Sequence, residues 1–362
     1  MLKFLILLFV FSLNNALAKN NIFLIENVEV ILDSPEINQA REISKNIAFN
    51  DAFRELLKKI MKESEHIKVS FHNPIEINYF VQDYKIRNED FFDSTYKAVI
   101  DVNFNKKRVN KFLADFQLNS SNTTSENFLI IPVYFNLNTN YLWEKKNKWY
   151  ESLKDEYDDS HLLKLFFAQP NSLNKFRISA KEAISGDLEK LKDIVSFYDK
   201  KSAIVIYLEE KFDLDSESFY SNVDFKLFTN NKVENILENN SNLKNLKSKR
   251  SIIDLLAKFS ISDLNNWWKD RTTVSKFSER KLNEFRIIDN FDDLKKSYMR
   301  ESIIRNSSFT DNLRTHQISK GLIEYKLFSF ADIEKINISL SAMNLKLKFI
   351  SDKNVYQIQE NF

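Results

Sequence analysis

The chain has 362 residues, 43% of them hydrophobic and 29% charged, and the charges balance to a formal net charge of +2. That composition excludes wholesale disorder, and it excludes a global field that would recruit nucleic acid or an anionic membrane. With no cysteine there is no disulfide, zinc–thiolate site, iron–sulfur cluster, thiol catalyst or Cys-linked lipid anchor, and with two glycines, Gly186 and Gly321, there is no Walker A loop, dinucleotide fingerprint or G-x-S-x-G elbow.

Met1 to Ala18 reads as a secretory signal peptide (residues 1–18). Lys3 supplies the positive start, Phe4 to Leu13 is an apolar core too short to span a bilayer, and Ala16-Leu17-Ala18 is a small-x-small cleavage site. The competing reading is an uncleaved anchor or a buried first strand. Cleavage after Ala18 predicts a soluble protein beyond the inner membrane, in the periplasm of a Gram-negative cell. No later apolar run reaches transmembrane length, so no membrane segment is expected after cleavage.

The mature chain opens with a module over 19–118. Val28 to Leu32 has strand composition, and Asp33-Ser34-Pro35-Glu36 is a helix start. Ile43, Ile47, Ala48, Ala52, Phe53, Leu56, Leu57 and Ile60 then recur in steps of three and four, predicting one buried stripe. A polar connection, His66 to Pro74, leads to strands over Ile75 to Arg87 and Thr95 to Phe104, with the turn at Asn88-Glu89-Asp90. Asn105 caps a helix from Lys106 to Leu118 that turns Val109, Phe112, Leu113 and Phe116 inward. The order is β-α-β-β-α.

Asn119 to Asn127, made of Asn, Ser, Thr and one Glu, is the clearest linker (119–127). The second module (128–275) has near-continuous apolar runs at Phe128 to Phe135 and Ala203 to Leu208, the mark of strands covered on both faces. A helix pattern fills Ser179 to Tyr198, an outer strand Phe219 to Phe228, and a further helix Ser248 to Lys269, with Trp267-Trp268 as its packing end. Lys244 to Arg250 reads as a solvated helix start rather than a nucleic-acid site. The third module (280–362) reads β-α-β-β-α-β. Its first helix, from Asn290 to Arg300, is expected to turn Phe291, Leu294 and Tyr298 inward, and its hairpin is centred on Gly321. The fold class is therefore α+β: three successive α/β modules, the middle one Rossmann-like without a nucleotide fingerprint and the last ferredoxin-like. With so little glycine, Asn and Asp are expected at the positive-φ positions of turns and helix ends.

Ordered markers run along this pattern: Val28-Glu29-Val30, Ala40-Arg41 and Ala52 to Leu57; Leu129 to Tyr134 with Leu142-Trp143-Glu144 and Asn147-Lys148-Trp149; Ile184 to Asp187 with Tyr198 and Ala203 to Ile206; and Trp268-Lys269. In that order the chain resembles an uncharacterised proteobacterial family of exported proteins, the domain of unknown function numbered 2066. Glycines the pattern would place after the first helix and between the closing strands are absent. The resemblance implies export and brings no reaction, cofactor or catalytic residue. More distantly, the middle module is similar to α/β domains of envelope assembly proteins.

The chemistry-bearing residues are sparse. His66, His72, His161 and His316 show no metal-ligand spacing and read as ordinary exposed histidines. Asp158-Asp159-Ser160-His161 has triad residue types, but helix N-capping by Asp or Ser explains it better. Tyr141, Trp143, Lys146 and Trp149 combine aromatics and cations just past the end of a buried strand, where open α/β sheets bind ligands. The bland reading packs both Trp over the sheet; the functional one makes them a ligand or partner surface. These features predict a non-enzymatic envelope interaction or assembly factor whose partner is another envelope protein, with no cofactor, metal or nucleic acid. The alternative is a periplasmic binding protein or hydrolase acting on an envelope polymer through Trp143 and Trp149.

Overall fold

The structure, a computed structural model, describes residues 21–69, 76–136, 138–213, 218–229, 232–243, 249–273 and 282–360. The signal-peptide residues lie outside these, as do His72 and residues 244–248 of the basic helix start. The fold is mixed α+β. One compact unit combines the described residues up to 124 with 272–340 and 344–362; the other holds 125–271 with 341–343.

The first module runs β1 (Leu24–Asp33), α1 (Ile37–Ile60), α2 (Glu63–Val69), a 3₁₀ turn (Ile77–Tyr79), β2 (Val81–Phe92), β3 (Thr95–Phe104) and α3 (Lys106–Asp115). The sheet order is β1-β3-β2, antiparallel throughout. Small residues set how α1 lies on it. Ala40, Ser44, Ala48 and Ala52 form an i,i+4 row with almost no exposed surface, flanked by Phe49, Phe53, Leu56, Leu57 and Ile60. That row carries the close approach, so the stripe is rotated from the expected one and leaves Ile43 and Ile47 40% and 37% exposed. The β2–β3 turn is Asp93-Ser94, not Asn88 to Asp90. Both turn residues have positive φ, 49° and 61°, as a two-residue hairpin demands. The expected alternation from Ile75 fails because Ile77–Tyr79 is helical and the strand starts at Val81. Asn105 caps α3 as expected, accepting from the Lys107 and Arg108 amides at 3.1 Å, but Phe116 ends up 41% exposed.

The polar stretch 119–127 has more structure than its composition suggests. Ser121, Thr123 and Ser125 are buried. The Ser121 amide donates to the Ile60 carbonyl at 2.7 Å, and its hydroxyl lies 2.6 Å from that of Thr272. The Ser125 amide donates to the Leu162 carbonyl at 2.8 Å, and its hydroxyl accepts from the Lys164 amide at 2.7 Å. Each half is tied into its own unit, and the boundary falls between 124 and 125.

The second module holds β4 (Asn127–Asn136), β5 (Thr139–Tyr141), α4 (Lys148–Glu156), β6 (Lys164–Phe167), α5 (Ser172–Arg177), α6 (Ala180–Ser185), α7 (Leu188–Phe197), β7 (Ala203–Asp213), β8 (Ser218–Thr229), β9 (Lys232–Leu243) and α8 (Lys249–Thr272). β4 pairs in parallel with β6 and β7, while β7, β8 and β9 form an antiparallel meander. The parallel part accounts for the Rossmann-like expectation; the meander is the departure from it. The apolar runs are covered on both faces. Leu129, Ile131, Val133, Ala203 and Val205 pack with Ala183, Leu191, Ile194 and Val195 of α6 and α7. The alternate residues Ile130, Ile204, Ile206 and Leu208, also fully buried, face the other way. There Phe128 meets Trp268 of α8 edge-on at 5.9 Å, and Ser152 of α4 bonds Asp254 of α8 at 2.6 Å. The single helix expected over 179–198 is two. Gly186, at φ 75°, ends α6 in the left-handed conformation, and Asp187 caps α7.

The third module is β10 (Asn283–Asn290), α9 (Leu294–Asn306), β11 (Asn312–Ser319), β12 (Leu322–Ser329), α10 (Ile333–Ser341), β13 (Leu345–Ile350) and β14 (Val355–Glu360), with sheet order β11-β12-β10-β14-β13. The β10-α9-β11-β12 part has the ferredoxin-like arrangement, β12 lying between the first two strands. The closing part differs: β13 and β14 form a hairpin, and β14 sits beside β10 and parallel to it. Within α9 it is Ser297 and Ile304 that are buried. Leu294 and Tyr298 point out, because the helix starts at Leu294 under an Asp293 cap, several residues later than expected.

Candidate functional site

The four residues singled out in the sequence divide into core and surface. Trp149 on α4 is fully buried, and its indole N–H donates to the Ile206 carbonyl at 3.3 Å. Trp143 is 3% exposed, belongs to the α6–α7 core, and donates to the Ile178 carbonyl at 3.0 Å. Asn147 locks the stretch between them. It is 1% exposed, its amide nitrogen donates to the Pro132 and Leu142 carbonyls at 2.9 and 3.0 Å, and its oxygen caps α4 by accepting from the Tyr150 amide. Neither indole has a face to offer a ligand, so the surface drawn through Trp143 and Trp149 is corrected to packing. Tyr141 is half-buried with its ring 6.1 Å from Tyr134, and Lys146 is exposed. The Tyr134 hydroxyl donates to Glu210 at 2.7 Å; burial first, then that carboxylate, pushes the phenol well above its ordinary range.

The same loop nevertheless borders an unusual helix. Glu144 pairs with Lys175 on α5 at 2.9 Å. Burial opposes the Glu144 charge, but the Lys175 ammonium and the Leu142 amide outweigh it and hold the carboxyl below its usual value. α5 is inverted relative to an ordinary amphipathic helix. Its buried residue is Asn174, whose amide nitrogen donates to the Gln169 carbonyl at 3.1 Å and whose oxygen accepts from the Tyr198 hydroxyl at 2.8 Å. With polar bonds inward, the apolar residues are left outside: Leu173 is 65% exposed and Phe176 84%. Arg177 lays its guanidinium 3.8 Å over the ring of Phe197 on α7, itself 46% exposed, and donates to Asp193 at 3.0 Å. The result is an exposed apolar pair on α5, Leu173 and Phe176 at i and i+3, with the neighbouring Arg177 packed on the exposed ring of Phe197. No periodicity argument finds it, because a six-residue helix is too short to show a stripe. The signal that could have found it is the short run from Asn171 to Arg177, where Asn171 can cap and Asn174 sits between Leu173 and Phe176.

Other sequence candidates resolve into structure. In Asp158-Asp159-Ser160-His161 the Asp158 carboxylate accepts from the Ser160 amide at 2.8 Å and the Ser160 hydroxyl at 2.6 Å, making a side-chain turn rather than the expected helix cap. Among the described residues no group of His, Asp or Glu is placed to hold a metal ion, and no helix is long and apolar enough to cross a membrane. No known family model matches the chain, and no curated protein is found to be similar to it.

Proposed function

We propose that this chain is an exported envelope interaction or assembly factor without enzymatic activity, related to the exported family its ordered markers resemble. The observation carrying this reading is the exposed pair Leu173 and Phe176 on α5, together with Arg177 packed on the exposed ring of Phe197. Clustered exposed apolar side chains are the usual sign of a partner-binding surface, and aromatic residues with Arg are enriched at the centres of such surfaces. The Asn174 anchors support it: they hold a short helix in the one orientation that displays these side chains.

The test is site-specific photocrosslinking in cells that export the chain. A photoreactive residue at position 176 should give one defined adduct with an envelope protein, lost in a Leu173→Ser, Phe197→Ser variant that keeps its melting temperature. The protein released by osmotic shock should begin at Lys19. Absence of an adduct from position 176, or retention of Met1 in a membrane fraction, would refute the proposal.

A further inference from the structure

A second feature lies in the other unit and stands independently of the pair on α5. Both helices of the third module lie on one face of its sheet: Ile304 of α9 and Ile336 and Leu340 of α10 share a core with Ile287, Tyr325 and Leu347. Alternation along the strands turns the residues next to these toward the opposite face. No strand residue of that face is an exposed large apolar side chain. Its character is cationic. Arg314, Lys326 and Arg286 stand directly opposite one another on β11, β12 and β10. Lys346 and Lys348 follow on β13. Two acids share the face, and each is already taken: Glu284 by Lys326 at 2.9 Å and Glu324 by Arg286 at 2.8 Å. Among the described residues no acid pairs with the exposed Arg314, Lys346 or Lys348.

Like charges directly opposite each other work against strand pairing. Two of the three in the row are neutralised within the face, and Arg314 is not. The whole chain carries a formal net charge of only +2, so this is a local excess of positive charge and points to an anion from outside. Arg314 shows which anion fits. Its guanidinium lies 5.4 Å over the ring of Phe328, which supports it from one side and leaves its planar N–H fork to grip a carboxylate by two parallel bonds. The amides show the rest. Gln357 stands opposite Lys348 and Gln359 opposite Lys346, so each lysine has beside it a group that both donates and accepts, as a hydroxyl requires. Carboxylates and hydroxyls repeated along one chain describe an acidic polysaccharide. Other polyanions fit this face less well. A peptide strand adds to a sheet edge and a peptide helix needs an apolar groove, a single-stranded nucleic acid needs exposed aromatic rings to stack its bases, and a membrane surface takes up apolar side chains. We propose that the open face of this sheet binds an acidic polysaccharide through Arg314, Lys346 and Lys348.

The test is fluorescence anisotropy of a labelled polygalacturonate fragment titrated with the full chain, with dextran, polyglutamate and anionic phospholipid vesicles as unlabelled competitors. Polygalacturonate should bind saturably, and dextran should not compete. Counterion release at about three contacts, about 0.7 per contact, should weaken binding roughly 20-fold between about 50 and about 200 mM salt. Arg314→Gln alone removes one charge-assisted pair and should weaken binding by roughly tenfold. Arg314→Gln, Lys346→Gln and Lys348→Gln together should abolish saturable binding and, being exposed and unpaired, leave the melting temperature unchanged. Lys145→Gln, Lys148→Gln and Lys192→Gln take the same charge from exposed positions of the other unit and should leave binding unchanged. No saturable binding, tighter competition by polyglutamate or by the vesicles than by polygalacturonate itself, an Arg314→Gln protein that binds as the parent does, or equal weakening by the two triple variants would each overturn the proposal.

Discussion

The Asp289–Arg300 pair allows the sharpest test of how the third module is held together. Asp289 is 1% exposed and Arg300 13%. Arg300 donates to both carboxylate oxygens, at 2.8 and 3.3 Å, and reaches Glu360 at 3.0 Å, while the Ser297 hydroxyl donates to Asp289 at 2.7 Å. Changing Arg300 to Met strands a buried carboxylate with one remaining hydroxyl donor. Removing one partner of such a pair costs about 3–5 kcal/mol, against a domain stability of about 5–15 kcal/mol. Replacing both, as Asp289→Leu with Arg300→Met, removes the charges together and should return most of that loss, because apolar substitution of a whole buried pair is near neutral. Tryptophan emission is blind here, since the four Trp, at 143, 149, 267 and 268, all lie in the other unit. Hydrogen exchange read by mass spectrometry on peptides of β12 and α9 reports the module directly. The single variant should lose protection by roughly 100- to 5,000-fold, each tenfold being about 1.4 kcal/mol. A loss under threefold in the single variant, or a double variant less protected than the single one, would show that the pair does not bear on stability in this way.

Lys269 on α8 is 7% exposed, and burial lowers its ammonium to about 8 from 10.5. Between those values the unfolded chain holds a proton the folded chain has lost, so stability rises with pH through that window and is lost as pH falls toward about 8. At about 1.4 kcal/mol per unit the whole effect is at most roughly 3 kcal/mol, and Lys269→Met should abolish it. Urea unfolding followed by tryptophan emission at pH 7 and pH 10 checks this, and parallel pH profiles for the two proteins would rule it out. Leu56, fully buried in α1, should cost about 2–5 kcal/mol when changed to Ala, while exposed Lys58→Ala should stay within about 0.5 kcal/mol; equal melting of the two variants would remove α1 from its place in the core. The 119–127 stretch should resist limited proteolysis despite its composition, because Ser121 and Ser125 anchor it, and early cleavage there under native conditions would contradict those bonds.

Elements and their order were legible wherever a long periodic or continuously apolar segment met a strong local signal. β4 and β7 announced themselves as covered on both faces, and Asn105 announced α3. The rule that Asn and Asp replace glycine was also legible: Asn27, Asp93, Asn138, Asp199, Asn344 and Asn354 all have positive φ. The same substitution hid the β2–β3 turn. Asp93-Ser94 carries no glycine, so the more polar Asn88 to Asp90, which lies within the strand, looked like the break. Helix orientation failed where the contact row was small or polar. Ala40, Ser44 and Ala48 on α1, and Ser297 on α9, are buried because they permit close approach or hold a charge, and a count of large apolar residues passes over both reasons.

The polar and aromatic candidates were misleading for related reasons. Trp143 and Trp149 looked functional because aromatics beside lysines at a strand end resemble a binding edge; Asn147, between them, turns both inward by bonding two carbonyls of that very strand and loop. Asn110, Asn122 and Thr310 are of residue types that in a chain with two glycines are everywhere and mostly serve caps and turns. Nothing local separates Ser307, whose hydroxyl is bonded, from Thr310, whose hydroxyl is not. The distinction arises only when segments almost two hundred residues apart close on one another, and it is a distinction of hydrogen-bond accounting rather than of composition. In a chain this rich in Asn, Ser and Thr, what a polar residue does is therefore read from its bonds and not from its type.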